Sequence, residues 1–446
     1  MDNKTIYALS TVFGKSGVAV FRISGKQAFD VFEKMTRLKS GEIENRKVYY
    51  TPVLKIDSRE TIDRCIIVAF KSPYSFSGED TVEISCHGSK AVIRSIYDEL
   101  SKLEGFRLAE PGEFSRRAFY NGKMDLTEAD GLADLIEAET EIQRKTALKQ
   151  MDGTLFKLYD DWRERLVSIL SYIEAYIDFP EEDIPQDVVL KLENSVFKVI
   201  SEIENHITKN NVDERLRDGF HVVISGPTNA GKSSLINAIV HRNVAIVSDI
   251  AGTTRDVIEA YVDIKGFPVI ISDTAGLRET DDEIEKIGVN LAREKIASAD
   301  FNIFLFDASN TKPEIFNEYI NGTENYMLVA NKSELIDDNL YKDLLQKGCI
   351  LLSVKQNINI DVITDTLYEH FNNLYSTASG MLITRERYKQ ALQECLNNLK
   401  KFNLNKEIEL AAEDIRLACR EIGKITGRVE VNEILDKIFS SFCIGK

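Results

Sequence analysis

The sequence predicts a multidomain protein of mixed α/β and α+β class, in which an α/β module is inserted into a discontinuous helical domain. Residues 1–118 mix short β-branched runs with two helical patterns, which is typical of a compact α+β domain. Residues 119–216 have no glycine between Gly153 and Gly219 and repeat apolar residues at helical spacing. Residues 220–375 alternate strand-like runs with helical stretches, which indicates a largely parallel sheet flanked by helices.

Helical character returns after residue 376 and continues through the rest of the sequence. Helical sequence on both sides of an α/β unit indicates an insertion, because domains are inserted where chain ends lie close together. We therefore expect an N-terminal domain over 1–118, two parts of a helical domain over 119–216 and 376–446, and the inserted α/β domain over 217–375.

The composition limits the possible partners and compartments. The 446 residues include 72 acidic and 56 basic side chains, and the net charge of −16 argues against a general nucleic-acid coat. The six cysteines form no C-x-x-C pair, which disfavours a zinc site or a disulfide framework. No signal-like start and no apolar run near the roughly 18 residues of a membrane span is present. We expect a cytoplasmic protein.

The segment GPTNAGKS, from Gly226 to Ser233, matches the P-loop pattern G-x-x-x-x-G-K-S between a predicted strand and a predicted helix. In such loops the backbone N–H groups and the helix N-terminus surround the phosphates. Lys232 is predicted to reach the β- and γ-phosphates, and Ser233 to ligate Mg²⁺. The predicted nucleotide-binding residues of this segment are Asn229, Ala230, Gly231, Lys232, Ser233 and Ser234.

Two further segments supply groups for the phosphates and for Mg²⁺. The DTAG segment ends a predicted strand, which places Asp273 to hold Mg²⁺ through water and the Gly276 N–H to sense the γ-phosphate. The AGTTRD segment supplies hydroxyl groups, and Thr254 is predicted to be the second Mg²⁺ ligand. The predicted residues of these segments are Ala251, Gly252, Thr253, Thr254, Asp273, Thr274, Ala275 and Gly276.

The NKSE segment, from Asn331 to Glu334, stands where a guanine-reading N-K-x-D motif is expected. Guanine offers N1–H and a 2-amino group to a carboxylate and adenine offers neither, so an acid here favours guanine. Glu334 replaces the usual Asp, and how tightly the longer side chain holds the base stays open. SVK is predicted to close the base pocket. The predicted residues of the base site are Asn331, Lys332, Glu334, Ser353, Val354 and Lys355.

The position after DTAG is Leu277, where Ras-like GTPases keep a glutamine that orients the attacking water. Asn229 could instead help to hold a monovalent cation against the phosphates, which would supply the charge that an arginine finger otherwise brings. A carboxylate of ETDDEIEK could position the water. Thr280 and Glu283 of that stretch also fit a helix capping box, and the residues alone leave this choice open.

Five segments together resemble the MnmE (TrmE) family of tRNA-modification GTPases, and the resemblance covers essentially the whole chain. The segments are GPTNAGKSSLINAIVHRNVAIVSDIAGTTRD, ISDTAGLRETDDEIEKIG, FRISG, PGEFSRRAF and the terminal FCIGK. The resemblance implies an N-terminal folate-binding-like domain and an inserted Ras-like P-loop GTPase domain. It also implies a homodimer formed through the N-terminal domain, whose G domains meet when GTP and potassium are bound.

The resemblance implies that the protein hydrolyses GTP, that potassium stimulates this hydrolysis, and that the protein takes part in tRNA modification. With the FAD-dependent partner MnmG (GidA), such a protein installs an aminomethyl or carboxymethylaminomethyl group on carbon 5 of the wobble uridine. The implied one-carbon carrier is a 5-formyl- or 5,10-methylene-tetrahydrofolate.

The resemblance also implies a full set of metal ligands and a residue that orients the attacking water. The implied potassium ligands are Asn229, Ser248, Ile250 and Thr253. The implied Mg²⁺ ligands are Ser233 and Thr254, and Asp249 belongs to the same nucleotide-binding loop. The family's water-orienting glutamate falls on Glu285, which singles out one acid of ETDDEIEK.

The implied folate-binding residues are Arg22, Glu83, Lys123 and Lys446. A carboxylate such as Glu83 can accept two hydrogen bonds from the donor edge of a pterin. The basic side chains suit the carboxylates of the glutamyl tail.

The final segment SSFCIGK has three possible interpretations: a lipid anchor, a loose tail or a functional end. The C-a-a-X match fails because Gly445 is not aliphatic and Lys446 is not a usual last residue. The resemblance favours the functional end and places Cys443 beside the one-carbon chemistry. Whether Cys443 attacks a substrate atom or only packs stays open.

A second class of function is a ribosome-assembly or membrane-associated GTPase that acts as a switch without modification chemistry. The folate-type N-terminal domain and the chain end favour the modification enzyme. Arg116 and Arg117 of PGEFSRRAF are expected either to contact tRNA or MnmG or to lie on a helix surface.

Overall fold

The chain forms two compact units. In the computed structural model, the described residues are 3–178, 185–209, 213–245, 259–273, 293–320, 323–377, 385–404 and 407–429, with Leu435, Ile438, Phe439, Phe442 and Gly445. The first unit contains Met1–Ala133, Phe156–Asp160 and Ile422–Lys446, and the second contains Asp134–Leu155 and Asp161–Glu421. Both sheets and the many helices confirm the predicted mixed fold class.

The first unit is built on a six-stranded sheet. Its strands are β1 Thr5–Leu9, β2 Ser16–Ser24, β3 Val48–Leu54, β4 Thr61–Phe70, β5 Thr81–Gly88 and β6 Phe106–Leu108. The strand order is β3-β4-β5-β2-β1-β6, and all neighbours are antiparallel except β1 and β6. Helices α1 (Asp30–Met35) and α2 (Lys90–Ser101) pack on one face of the sheet. Every second residue of a strand points to the same face, and apolar residues such as Phe21 and Ile67 point to the face that these helices cover.

Helix α3 (Glu113–Tyr120) packs on the other face of this sheet, where Phe114 contacts Ile6 and Ala8 of β1. Helix α4 (Leu126–Glu137) follows. Arg117 of α3 is only 3% exposed, and its guanidinium pairs with Glu113 and Glu79, each at 3.0 Å. The expectation that Arg117 contacts a partner or lies on the helix surface is therefore wrong, because its charge is used within the fold.

The second unit contains a seven-stranded sheet. Its strands are β7 Phe220–Ser225, β8 Val244–Ala245, β9 Glu259–Ile264, β10 Phe267–Asp273, β11 Phe301–Asp307, β12 Tyr326–Asn331 and β13 Ile350–Leu351. The order is β13-β12-β11-β7-β10-β9-β8, parallel except at β8 and β9. All seven residues of β11 are buried, as expected for a strand covered on both faces.

Helices make up most of the remainder of the second unit. They are α5 Glu141–Met151, α6 Thr154–Asp178, α7 Gln186–Lys209, α8 Asp213–Asp218, α9 Lys232–Arg242, α10 (293–298), α11 Asn317–Ile320, α12 Asp338–Gln346, α13 Ile360–Thr377, α14 Glu386–Leu399 and α15 Ile408–Thr426. Two of them, α6 and α15, also contribute Phe156–Asp160 and the residues from Ile422 onward to the first unit. The described residues also form short 3-10 helices at Ser40–Glu42 in the first unit and at Pro313–Phe316 and Ser333–Leu335 in the second.

The sheet and the helices of the second unit are held together by apolar packing and a few specific bonds. Phe220 of β7 stacks on Phe371 of α13 with ring centroids 4.2 Å apart. The buried Trp162 of α6 donates a 2.8 Å hydrogen bond to Glu202 of α7. Of the helices in the described part of the chain, none has both the length and the apolar composition that crossing a membrane requires.

Candidate functional site

The predicted P-loop connects the central strand β7 to helix α9. Gly231 precedes the helix with φ +100°, and Asn229 also has a left-handed backbone with φ +64°. Gly226 lies so close to the Leu305 carbonyl of β11 that a Cβ there would clash with it. The loop therefore depends on its glycines for close approach and for an unusual backbone conformation. This strand-loop-helix geometry is the one that phosphate binding requires.

Lys232 is the first residue of α9, and its ammonium group lies inside the P-loop. It donates hydrogen bonds to the Gly226 carbonyl at 3.0 Å and the Pro227 carbonyl at 3.2 Å. Burial lowers the pKa of Lys232, and the nearby carboxylate of Asp273 opposes that change. The charge thus lies where phosphate groups would meet it.

Ser233 and Asp273 form the part of the site that fits Mg²⁺. The Ser233 hydroxyl donates to Oδ2 of Asp273 at 3.1 Å. The other oxygen, Oδ1 of Asp273, is buried and has no hydrogen-bond partner among the described residues, and burial raises the pKa of this carboxyl. A hydroxyl and a carboxylate with an unused oxygen are donors of the kind that Mg²⁺ prefers.

The loops that follow β7, β12 and β13 are joined by the buried side chain of Asn331. Its Nδ2 donates to the Ala230 carbonyl of the P-loop at 2.8 Å. Its Oδ1 accepts from the backbone N–H of Lys332 at 2.8 Å and of Val354 at 3.2 Å. A Cβ on Gly231 would also clash with Nδ2 of Asn331. One amide therefore fixes the phosphate loop relative to both base-site loops.

The base side of the pocket is open and contains an unpaired acid. Oε2 of Glu334 is buried without a hydrogen-bond partner among the described residues. The cavity has a volume of about 760 Å³. It is lined by Asn229, Gly231, Lys232, Ser233, Ser234, Asn331, Lys332, Glu334, Leu335, Val354 and Lys355. An acid with an unused oxygen at this place suits the donor edge of a guanine base.

Predicted Ser353 is buried beside the base loops rather than in the lining of this cavity. Its hydroxyl accepts a 3.1 Å hydrogen bond from the Gln356 N–H, and its backbone bonds with Ile358. Ser353 therefore shapes the loop that carries Val354 and Lys355.

Asp307, the last residue of β11, pairs with Lys332 of the predicted base site and was missed by the sequence analysis. Its Oδ2 lies 2.6 Å from Nζ of Lys332. Burial alone would raise the pKa of Asp307, but hydrogen bonds from Lys332, Ser309 and Asn310 lower it to about 2. Its signal in the sequence is an acid at the end of an apolar run, FNIFLFD, which is shared by many strand ends.

Several predicted site residues lie outside the described part of the chain. They are Ser248, Asp249, Ile250, Ala251, Gly252, Thr253, Thr254, Thr274, Ala275, Gly276, Glu285, Cys443 and Lys446. Their predicted roles in potassium binding, Mg²⁺ binding, hydrolysis and one-carbon chemistry remain predictions.

Two of the predicted folate residues, Arg22 and Glu83, are cross-strand partners on β2 and β5. Nε and Nη2 of Arg22 both bond Oε1 of Glu83, at 3.0 and 2.9 Å. The Arg22 guanidinium lies 5.1 Å from the ring centroid of Phe76. Two residues further on, Gly78 approaches the side chain of the exposed Lys123. The segment from Phe76 to Gly78 thus brings these three predicted residues to one part of the first unit.

The described residues near the end of the chain, among them Phe439, Phe442 and Gly445, pack within the same unit. Phe439 and Phe442 are buried with Leu126 of α4. The Ser10 hydroxyl donates to the Gly445 carbonyl at 2.9 Å, and Gly445 has φ +104°. A Cβ on Gly445 would clash with the carbonyl group of Leu9, so the contact needs a glycine. Gly445 therefore lies beside Ser10, which is two residues, or about 7 Å, along the chain from Ala8, the residue that pairs with Arg22.

The second unit thus has a P-loop, a Mg²⁺-compatible donor pair and an acid for the base at one edge of a largely parallel sheet, which defines a P-loop GTPase. Residues 5–123 match the family described as "GTP-binding protein TrmE N-terminus", and residues 126–443 match "MnmE helical domain".

The chain is 45% identical over 447 residues to the tRNA modification GTPase MnmE of Rickettsia bellii (strain RML369-C). This match covers 99% of the chain and 100% of that relative. The corresponding protein of Rickettsia rickettsii (strain Sheila Smith) is 44% identical over 446 residues, with the same coverage. The chain belongs to the MnmE (TrmE) family and is a GTPase.

Two solved structures resemble part of the chain. Era in complex with MgGDPNP and 16S ribosomal RNA nucleotides is 27% identical, with a TM-score of 0.28 over 34% of this chain and 56% of that one. The G domain of the T. maritima FeoB iron transporter is 21% identical, with a TM-score of 0.27 over 34% of this chain and 98% of that one.

Gly231→Ala should abolish detectable GDP binding. The new Cβ would clash with Asn331 and would also have to adopt φ +100°. Gly348→Ala is the matched control, because Gly348 has φ +76° but nothing within 4 Å of its Cβ position. The control should lose about 1 kcal/mol of stability and keep its affinity. Titration with a fluorescent GDP analogue measures the affinity of each variant. Equal affinities in Gly231→Ala and Gly348→Ala would contradict the role given to Asn331.

Proposed function

We propose that this chain uses potassium-stimulated GTP hydrolysis to drive modification at carbon 5 of the wobble uridine of certain tRNAs. The partner is the FAD-dependent protein MnmG (GidA), and the one-carbon carrier is a 5-formyl- or 5,10-methylene-tetrahydrofolate. The observation that carries the proposal is the identity of about 45% over 99% of the chain to proteins named tRNA modification GTPases.

The GTPase part of the proposal is supported by groups that lack partners in the nucleotide pocket. Asp273 and Glu334 each keep a buried carboxylate oxygen without a hydrogen bond from the described residues. Leaving such an oxygen unpaired costs about 1–3 kcal/mol. A bound Mg²⁺ would take up the first of these oxygens together with Ser233, and the donor edge of guanine would take up the second. Both groups therefore favour the nucleotide-bound state.

In this proposal the charge that accelerates hydrolysis comes from a potassium ion rather than from an arginine finger. Asn229 lines the pocket and its side chain is exposed, so it is available as a ligand. Ser248, Ile250 and Thr253 complete the proposed ligand set. Glu285 is proposed to orient the attacking water, because Leu277 replaces the glutamine of Ras-like proteins.

The N-terminal domain, over 1–118, is proposed to bind the folate and to form a homodimer. Glu83, paired with Arg22, would accept from the pterin, while Lys123 or Lys446 would face the glutamyl carboxylates. The Arg22–Glu83 pair is part of the support, since it holds the Glu83 carboxylate in place on the sheet. The other proposed domains are the helical domain, over 119–216 and 376–446, and the G domain, over 217–375. A cytoplasmic location is part of the same proposal.

Deletion of Cys443–Lys446 should abolish tRNA modification and leave GTP hydrolysis within about twofold of normal, because Gly445 contacts Ser10 of the first unit whereas the P-loop belongs to the second. The test is nucleoside analysis of tRNA from cells that lack the protein and carry the normal or the shortened chain. Lys232→Ala is the complementary control and should lose hydrolysis. Unchanged wobble uridines in cells without any copy would refute the modification function, and loss of both activities on deletion would make the tail structural.

Hydrolysis should be faster in potassium chloride than in sodium chloride, and Asn229→Gly should remove the difference. Glycine is chosen because Asn229 has φ +64°, so the variant loses the amide without straining the backbone. Asn357→Gly is the matched control, since Asn357 has φ +61° and does not line the pocket. The measurement is the GTP hydrolysis rate in potassium chloride and in sodium chloride at equal ionic strength, for the normal chain and both variants. A potassium preference that survives in Asn229→Gly would contradict the cation assignment.

Glu83→Gln should weaken binding of a reduced folate by about tenfold or more. The substitution removes the negative charge and replaces one carboxylate oxygen, which accepts from the pterin edge, with an amide NH₂ group that can only donate. Glu60→Gln is the control, since Glu60 also pairs with a cation, Lys55, but lies on an exposed part of the same unit. Calorimetric titration with 5-formyl-tetrahydrofolate measures both affinities. Equal affinities in the two variants would argue against Glu83 as the pterin acceptor.

A further inference from the structure

We propose that Asp307 is a positioning residue for the nucleotide base, and that it acts by fixing Lys332 so that the aliphatic stem of this lysine forms one wall of the base pocket. Asp307 is not among the residues that line the cavity. The proposal concerns guanine-nucleotide binding by the GTPase and does not depend on potassium, folate or tRNA.

Lys332 has an uncommon backbone conformation that needs support. Its φ is +63°, in the left-handed region that lysine rarely adopts. Such a conformation persists only where the surroundings hold it. The backbone N–H donates to Oδ1 of Asn331 at 2.8 Å, and the ammonium group donates to Oδ2 of Asp307 at 2.6 Å. The residue is therefore held at its backbone and at the end of its side chain.

Asp307 is itself held in place. Its Oδ1 accepts hydrogen bonds from the Ser309 backbone at 3.0 Å and from the Ser309 hydroxyl at 2.6 Å. Asn310 donates to Oδ2 at 3.3 Å, and the Asp307 side chain is 12% exposed. Because the carboxylate is ordered before it meets the lysine, little further conformational entropy is lost in forming the ion pair.

This ion pair decides which part of Lys332 faces the nucleotide. The ammonium group is neutralised at the end of β11, outside the cavity lining. The lysine stem is then what Lys332 contributes to the pocket, beside Leu335 and Val354. A flat purine is held well by apolar walls with one acid at its edge, and Glu334 supplies that acid. Asp307 thus maintains the shape of the slot in which Glu334 meets the base.

The test is the dissociation rate of a fluorescent GDP analogue from the full chain, measured for Asp307→Asn, Lys332→Met and the double variant. Asparagine can still accept from Ser309, but it places an amide donor against the ammonium group. We expect each single variant to release the nucleotide about tenfold faster. The double variant should be no faster than Lys332→Met, because Asp307 acts only through Lys332. The turnover number at saturating GTP should stay within about twofold for Asp307→Asn, while KM rises.

Glu314→Gln is the matched control, because Glu314 also pairs with a lysine of the same unit, Lys347 at 3.0 Å, away from the pocket. Its dissociation rate should be normal. If Asp307→Asn does not fold, Ser309→Ala replaces it, and we expect a rate about threefold above normal because the carboxylate loses one of its bonds. The proposal is overturned if the rate is normal in Asp307→Asn, or in Ser309→Ala where that replaces it. Multiplication of the two single effects in the double variant would also overturn it.

Discussion

The nucleotide site depends on one buried side chain, the amide of Asn331. It donates to the P-loop and accepts from the loops after β12 and β13, so three segments that are distant in sequence share a single group. Each of these bonds is modest by itself, about 1 kcal/mol. Together they leave the loops little freedom to move independently. The phosphates and the base therefore meet a surface whose parts are already arranged relative to one another.

The pocket that Asn331 holds together also contains charged groups that are suited to a bound nucleotide. One oxygen each of Asp273 and Glu334 is buried without a hydrogen-bond partner among the described residues, and the ammonium group of Lys232 bonds to carbonyls of its own loop. A bound nucleotide with its Mg²⁺ would offset the cost of burying these groups. The first unit shows the opposite arrangement. There the charges of Arg117, Glu113 and Glu79 satisfy one another within the fold. Buried charges are therefore satisfied within the fold in the Arg117 cluster, whereas the nucleotide pocket keeps carboxylate oxygens without a hydrogen-bond partner among the described residues.

Most of the correct predictions came from local patterns in the sequence. Strand, loop and helix follow one another within a few residues around Lys232, so sequence was sufficient to predict the P-loop and the parallel sheet around it. Asp307 was not recognised and the burial of Arg117 was not foreseen, because Lys332 is 25 residues from Asp307 and Glu79 is 38 residues from Arg117, and only the folded chain brings them together. Burial of Arg117 in particular reversed an expectation, since an arginine on a short helix normally faces water. The contact of Gly445 with Ser10 spans 435 residues and has no local signal.

The most direct test of this account is hydrogen–deuterium exchange of the normal chain and of Asn331→Ala, each with and without saturating GDP. If Asn331 joins the loops, GDP should slow exchange together in the segments 226–235, 331–335 and 353–355 of the normal chain. In the variant, protection at 353–355 should disappear even where GDP still occupies the P-loop. Equal protection of all three segments in both proteins would contradict the account.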